Sequence, residues 1–355
     1  MTLLSGYVSR TVLAAMLLVL ALLLGLDLVF SFIGEMEDLK GNYQAWQALQ
    51  VVVLELPFRL CDMLPVAGLI GGIVGLGLLA SQSELTVMRA SGVSVARIVW
   101  WAIRPAILLV AGGLLVAQFV VPVSNLQADS IKAKALGRDY QAGLLHGFWH
   151  REGREFIRIQ TVMPDARLLD VTFYRMGENG RLSAYTHAPE GRPESAGGWS
   201  LKNVRSVEIA ADDSALLSVS PLLAWLPELT PGFLRLVTVE PEYLPLTSLY
   251  RYARYLEGQG LQADHYFLEF WKKALAPLAT ISMVLIACLF IFGPLRSVTM
   301  GLRIVSGVLA GLGFRYLQDI FGYASLVYHF SPLLAAAAPI AACLLGGIAA
   351  LRRVR

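Results

Sequence analysis

Long apolar stretches at about Thr11–Ile33, Pro57–Ala80, Ile98–Val121, Ala274–Phe292, Gly301–Gly322 and Pro332–Leu351 dominate the chain. Each has roughly the 20 residues that a helix rising 1.5 Å per residue needs to cross a ~30 Å hydrocarbon layer. Their apolar residues are clustered, not confined to one stripe, which predicts helices surrounded by lipid or by other helices. Between the third and fourth stretch the pattern changes to period two: "REFIRIQTV", "LLDVTFYRM", "RLSAYTHA", "WSLKNVRSVEIA" and "FLRLVTV". Gly, Pro, Asn and Asp clusters such as "MGENG" and "PEGRPESAGG" punctuate these runs, so they read as strands of an antiparallel sandwich or jelly roll. Ile157, Ile159, Phe173, Leu182, Trp199, Val207 and Leu236 are the expected inward positions. A further helix is expected over "LTSLYRYARYLEGQG", with Thr247 as cap and Gly258 as stop. The predicted fold is therefore a membrane α-helical protein of six transmembrane helices with an inserted all-β jelly-roll domain. Its parts are residues 1–124 (helices 1–3), 125–246 (the β insert) and 247–355 (a connecting helix and helices 4–6).

Composition agrees: 56% of the 355 residues are hydrophobic and 15% charged, which marks an integral membrane protein. Arg10, Arg89, Arg97, Arg296, Arg352, Arg353 and Arg355 flank one side of the spans, and Glu35, Glu37, Asp38 and Glu55 gather on the other. The positive-inside rule then puts both termini in the cytoplasm and the insert outside. The first span exceeds the apolar core of a signal peptide and no small-residue cleavage site precedes "GEMEDLK", so it is expected to stay as an anchor.

Soluble-enzyme chemistry finds little support. A net charge of +3, spread along membrane edges, gives nucleic acid no basic face. Cys61, Cys288 and Cys343 fall within spans without CxxC spacing and read as small apolar fillers. His146, His150 and Glu152 look like part of a metal site, but in an extended segment residues four apart do not form a helical face, so no metal is expected there. No GxxxxGK[ST] loop, GxSxG elbow or Ser-His-Asp set occurs, so no catalytic residue and no cofactor is expected in the chain itself.

The stretch "SQSELTVMRASG", Ser81–Gly92, predicts a very short helix over residues 82–91 between two spans. Ser81 and Glu84 match a capping box, Gly92 a left-handed stop, and Ser94 a cap for the next span. Leu85, Val87 and Met88 give the helix an apolar side. Two readings stand: a helix lying on the lipid surface, or a protruding knob that plugs into a cytoplasmic partner and transmits its movement.

Charges inside the spans are expected to neutralise each other, since an unpaired one at mid-membrane costs ~3 kcal/mol. Spacing pairs Arg59 with Asp62 and Arg315 with Asp319, and leaves Asp27 alone. Arg315 and Asp319 are candidates either for a structural pair or for a lipid-binding lining. Lys132 and Lys134, past span three, are solvated surface or rim charges for a lipid's phosphates. Lys272 and Lys273, in "ADHYFLEFWKKALAPL", either snorkel to the interface or attract an anionic head group.

"GLGLLASQSELTVMRASGVS" together with "IFGPLRSVTMGLRIVSG" resembles the LptF/LptG permeases of the lipopolysaccharide export ABC transporter, with Phe292–Arg303 nearer the LptG type. The likeness covers the whole chain, because three spans, a periplasmic β domain and three spans is the family's layout. It implies an inner-membrane, multi-pass subunit paired with an LptF-type permease and driven by an LptB-type ATPase dimer, which alone binds ATP and Mg. It also implies a β domain that leads through LptC to LptA. By the same resemblance the short helix is a coupling helix, with Glu84, Leu85, Met88 and Arg89 contacting the ATPase. The family's basic residues at the outer end of span one are missing: "SFIGEMEDLKG" has only Lys40 among acids. The residues alone also leave open export of another lipid or lipoprotein, and a non-transporting membrane scaffold.

Overall fold

The computed structural model describes residues 2–40, 42–136, 148–162, 167–177, 180–194, 198–209, 214–225, 240–258, 260, 262–293 and 298–353. Among these the chain divides into two compact units: residues 1–39, 48–128 and 241–355, and residues 40–47 and 129–240. The first is a bundle of six helices long and apolar enough to cross a membrane. They are α1 (Thr2–Glu37), α2 (Ala45–Ser81), α4 (Val95–Leu115, continuing as α5, Val121–Leu136), α7 (Asp264–Phe292), α8 (Met300–Tyr328) and α9 (Pro332–Arg353). Short α3 (Glu84–Ala90) links α2 to α4, and α6 (Leu246–Gly258) precedes α7.

Small residues set the helix packing. α2 carries Gly68, Gly71, Gly72 and Gly75, two interleaved GxxxG pairs facing different neighbours. A Cβ at Gly71 would lie 2.5 Å from Met16 Cα, and one at Gly75 2.9 Å from Val12 Cα, so α1 and α2 meet backbone to backbone. Gly68 and Gly72 let α7 approach through the small side chains of Thr280 and Ala287. Such contacts replace the hydrophobic driving force that lipid does not supply. Val12, Met16, Leu69, Ile73 and Leu76 join Ile98, Ala102, Met283 and Cys288 in one buried cluster.

The third span runs on beyond its expected end at Val121. Pro122 has no N–H to give the carbonyl four residues back, and the helix widens into a π turn over Val116–Val120 before resuming as α5 to Leu136. Residues 125–136, expected in the β insert, are therefore helical. Gln118 of the π turn performs the capping expected of Thr247: its Oε1 accepts the Leu246 N–H at 3.1 Å and its Nε2 donates to Thr247 Oγ1 at 2.9 Å. Thr247 itself sits inside the first turn of α6. At the α6–α7 elbow Tyr252 packs edge-on to Tyr266, and burial pushes its phenol above the usual range.

In the second unit β1 (Phe148–Glu152), β2 (Glu155–Val162), β3 (Leu168–Met176), β4 (Leu182–Pro193), β5 (Trp199–Ile209) and β6 (Ala215–Trp225) form one antiparallel sheet in sequential order. Ile157, Ile159, Phe173 and Trp199 are buried as expected, whereas Leu182 and Val207 are half-buried and Leu236 lies outside the described residues. The register between β3 and β4 shifts between Arg175 and Met176, whereas Asp170 and Asn203 keep register with a positive φ, residue types that tolerate the left-handed region. In β5 the buried positions thereby change from Trp199 and Leu201 to Val204, which moves Val207 out of the core. β1 and β6 are strands that alternation alone does not predict, and "FLRLVTV" falls outside the described residues.

Candidate functional site

Helix α3 forms where expected, with different caps. Ser81 Oγ donates to the Leu78 carbonyl at 2.8 Å instead of closing a box with Glu84. The N-cap is Ser83, whose φ of 62° turns the chain sharply out of α2. Gly92, at φ 92°, supplies the left-handed stop. Ser94 occupies the cap position of α4, but its carbonyl, not its hydroxyl, receives the first amides.

Leu85 and Met88 are buried in the bundle's own core, which corrects their expected role as knobs for a partner. A helix of two turns has few side chains to anchor it, and these two fix it to the buried cluster of the bundle. The side turned outward instead consists of Thr86, Val87, Arg89 and Ala90, with Val87 65% exposed. Glu84 is half-buried: Oε1 accepts the Tyr7 hydroxyl of α1 at 3.0 Å, and Oε2 is out of solvent with no hydrogen-bond partner. The carboxylate thus joins α3 to the start of α1, a link that no sequence spacing signals.

Two of the ion pairs in the spans cross between helices, a connection that spacing along one helix does not show. Arg59 binds Asp27 of α1 at 2.9 Å and Glu55, one turn back, at 2.7 Å. Asp27 is therefore not alone, and Asp62 is released from the expected pair. Asp62 receives Arg315 of α8 at 2.6 Å. Asp319, expected to be Arg315's partner, lies beside this pair.

Lys272, Lys273, Arg315 and Asp319 line one cavity of ≈ 240 Å³ within the helical unit, between α2, α4, α7 and α8. Asp62, Glu242 and Glu269 complete its charged lining. Lys272 binds Glu269 at 2.9 Å and Lys273 donates to the Leu244 carbonyl at 2.7 Å, so neither lysine simply snorkels away from the bundle. Phe58, Leu64, Val110, Leu114 and Val121 form the apolar wall. Spacing in "LEFWKK" signals Glu269 as a partner for Lys272; nothing in the sequence signals Glu242, which comes from the 3₁₀ turn Pro241–Tyr243. Lys132 and Lys134 lie on α5, the first half-buried and the second exposed.

A whole-chain comparison now decides the family. The model of the lipopolysaccharide export system permeases LptF/LptG matches residues 6–353. The chain belongs to that family. It is 32% identical over 341 residues to lipopolysaccharide export system permease protein LptG of Escherichia coli (strain K12), covering 95% of this chain and 94% of that protein. LptG of Haemophilus influenzae is 31% identical over 339 residues, with the same coverage.

Family membership gives the bundle a context without assigning its residues. Cys61 donates its thiol to the Gly113 carbonyl at 3.2 Å, Cys288 is buried in the core and Cys343 is half-buried, so all three act as packing groups. His150 is buried in β1, and His146 lies outside the described residues. Among the described residues no group of three His, Cys, Asp or Glu side chains is placed to hold a metal ion.

Proposed function

We propose that the chain is a transmembrane permease subunit that extracts lipopolysaccharide from the bacterial inner membrane and passes it outward. ATP is hydrolysed by a separate ATPase dimer of LptB type, which alone carries ATP and Mg. An LptF-type permease completes the membrane part, and LptC and then LptA continue the path beyond the β domain. Both termini and α3 face the cytoplasm, and the β insert faces the periplasm. Full-length likeness to LptG proteins supports the cargo, and the distribution of arginines supports the orientation.

The observation that carries the mechanism is the two-faced construction of α3. Its inner side is packed into the bundle core, and its outer side presents Val87 and Arg89. A partner that closes on the outer side moves a short lever whose other side is held in the buried core of the bundle. Glu84, tied to Tyr7, passes the same displacement to α1. Such a device suits the cargo. Exposing a multi-chain lipid with on the order of seventy methylenes to water costs roughly 50 kcal/mol at ~0.8 each, so the lipid must leave one apolar surface only as it meets the next.

The test is a reconstituted complex carrying Glu84→Ala. It should assemble and fold, and lose ATP-driven lipopolysaccharide release. A photo-crosslinker at Val87 should capture the ATPase. Undiminished release by the variant, or crosslinks from Val87 to lipid alone, would return α3 to the role of a surface connector.

A further inference from the structure

The charged cavity between α2, α4, α7 and α8 is a site of its own, lined by residues of a single subunit. Its described charged lining carries both signs: Lys272, Lys273 and Arg315 against Asp62, Glu242, Glu269 and Asp319. A simple anion would meet four carboxylates there, and a simple cation three basic groups. A ligand with both charges matches this mixed lining. Depth narrows the class further. Lys272 and Lys273 immediately precede the apolar stretch of α7, and Asp62, Arg315 and Asp319 lie within roughly 10 Å, two turns, of the same edge of theirs. The cavity therefore sits at head-group level with an apolar wall beside it. Its ≈ 240 Å³ leaves room for a phosphate and a short amino alcohol.

We propose that this cavity binds the head group of a zwitterionic bilayer phospholipid of the ethanolamine type. Arg315 and Lys273 take the phosphate, Arg315 by the planar fork that suits phosphate oxygens. Asp319 and Glu242 take the ammonium, whose N–H groups a choline head lacks. The glycerol and the start of the acyl chains lie along Phe58, Leu64 and Val110. The site holds a resident lipid, and this inference is independent of what the permease exports.

The full transporter complex, purified from nanodiscs of equal parts phosphatidylethanolamine, phosphatidylcholine and phosphatidylglycerol, tests it by native mass spectrometry. Phosphatidylethanolamine should be retained roughly tenfold over the other two, the effect of one or two charge-assisted hydrogen bonds. Asp319→Asn should remove that preference, and Lys273→Met should lower retention of all three lipids together. Equal retention of phosphatidylglycerol would make the cavity an anion site, and equal retention of phosphatidylcholine would remove the ammonium contacts; either overturns the proposal. So would displacement by inorganic phosphate, occupation by lipopolysaccharide, or no retained lipid. The wild-type lipid series decides the matter even if a variant fails to fold. A failure here would leave ATP-driven lipopolysaccharide release untouched, whereas loss of release would leave the lipid preference standing.

Discussion

Arg59 shows how one side chain controls the fate of two others. Its guanidinium is about a quarter exposed and holds Asp27 and Glu55 at once, uniting α1 and α2. Arg59→Met should strand two carboxylates at the edge of the hydrocarbon and cost about 2–3 kcal/mol, less than for a fully buried charge because water still reaches the group. Thermal unfolding in detergent should show a lowered Tm, and adding Asp27→Asn and Glu55→Gln should restore most of it. If the triple variant stays as unstable as the single one, the arginine acts through packing and not through charge. The sequence reveals that these charges need partners, because an apolar slab tolerates few lone ones. It misassigns Asp27, Asp62 and Arg315, whose partners lie on other helices, because i,i+3 and i,i+4 spacing sees only one helix. Asp27 on α1 and Arg315 on α8 come into reach only after the bundle forms, and the Tyr7–Glu84 bond has the same origin.

At the scale of elements, α1 and α2 test the close-packing argument directly. A Cβ at Gly71 would meet Met16 backbone 2.5 Å away, and no flexible side-chain end can yield there. Gly71→Ala should push the two helices apart, cost about 1–3 kcal/mol as an overpacked site does, and reduce the folded yield of the complex. Gly25→Ala on α1, where nothing lies within 4 Å, should be neutral or slightly stabilising through helix propensity. Equal effects would mean that close approach does not organise this pair. Six spans and four of the described strands are legible from period and length. The two remaining strands are not: β1, "FWHRE", is too short to display alternation, and β6, "ALLSVSPLLAW", has Pro221 within it and is exposed or half-buried along its whole length. The extension of α4 through α5 is hidden by Pro122, which reads as a stop when the π turn before it is unseen. The lever face of α3 is inverted for a comparable reason: Leu85, Val87 and Met88 are all apolar, and only the fold decides which of them turn inward.

For the whole molecule, the proposed orientation follows from charge counted over the ends of the bundle. Arg10, Arg89, Arg97, Arg352 and Arg353 mark one end. The turn between α1 and α2 brings Glu35, Glu37 and Asp38 to the other, with Lys40 as its one cation among residues 34–40. Placing the arginine end outward would work against the rule for every short loop at once. Protease mapping on spheroplasts measures this without any variant. Trypsin should release peptides from the arginine-rich insert, at sites such as Arg154, Arg175 and Arg181, while Arg89 in α3 and Arg97 just after it stay uncut until the membrane is opened. Cleavage at Arg89 in intact spheroplasts would place α3 in the periplasm, where no ATP-hydrolysing partner can reach it. The coupling role would fall with the orientation, whereas the cavity between α2, α4, α7 and α8 would keep its charges and merely belong to the opposite leaflet.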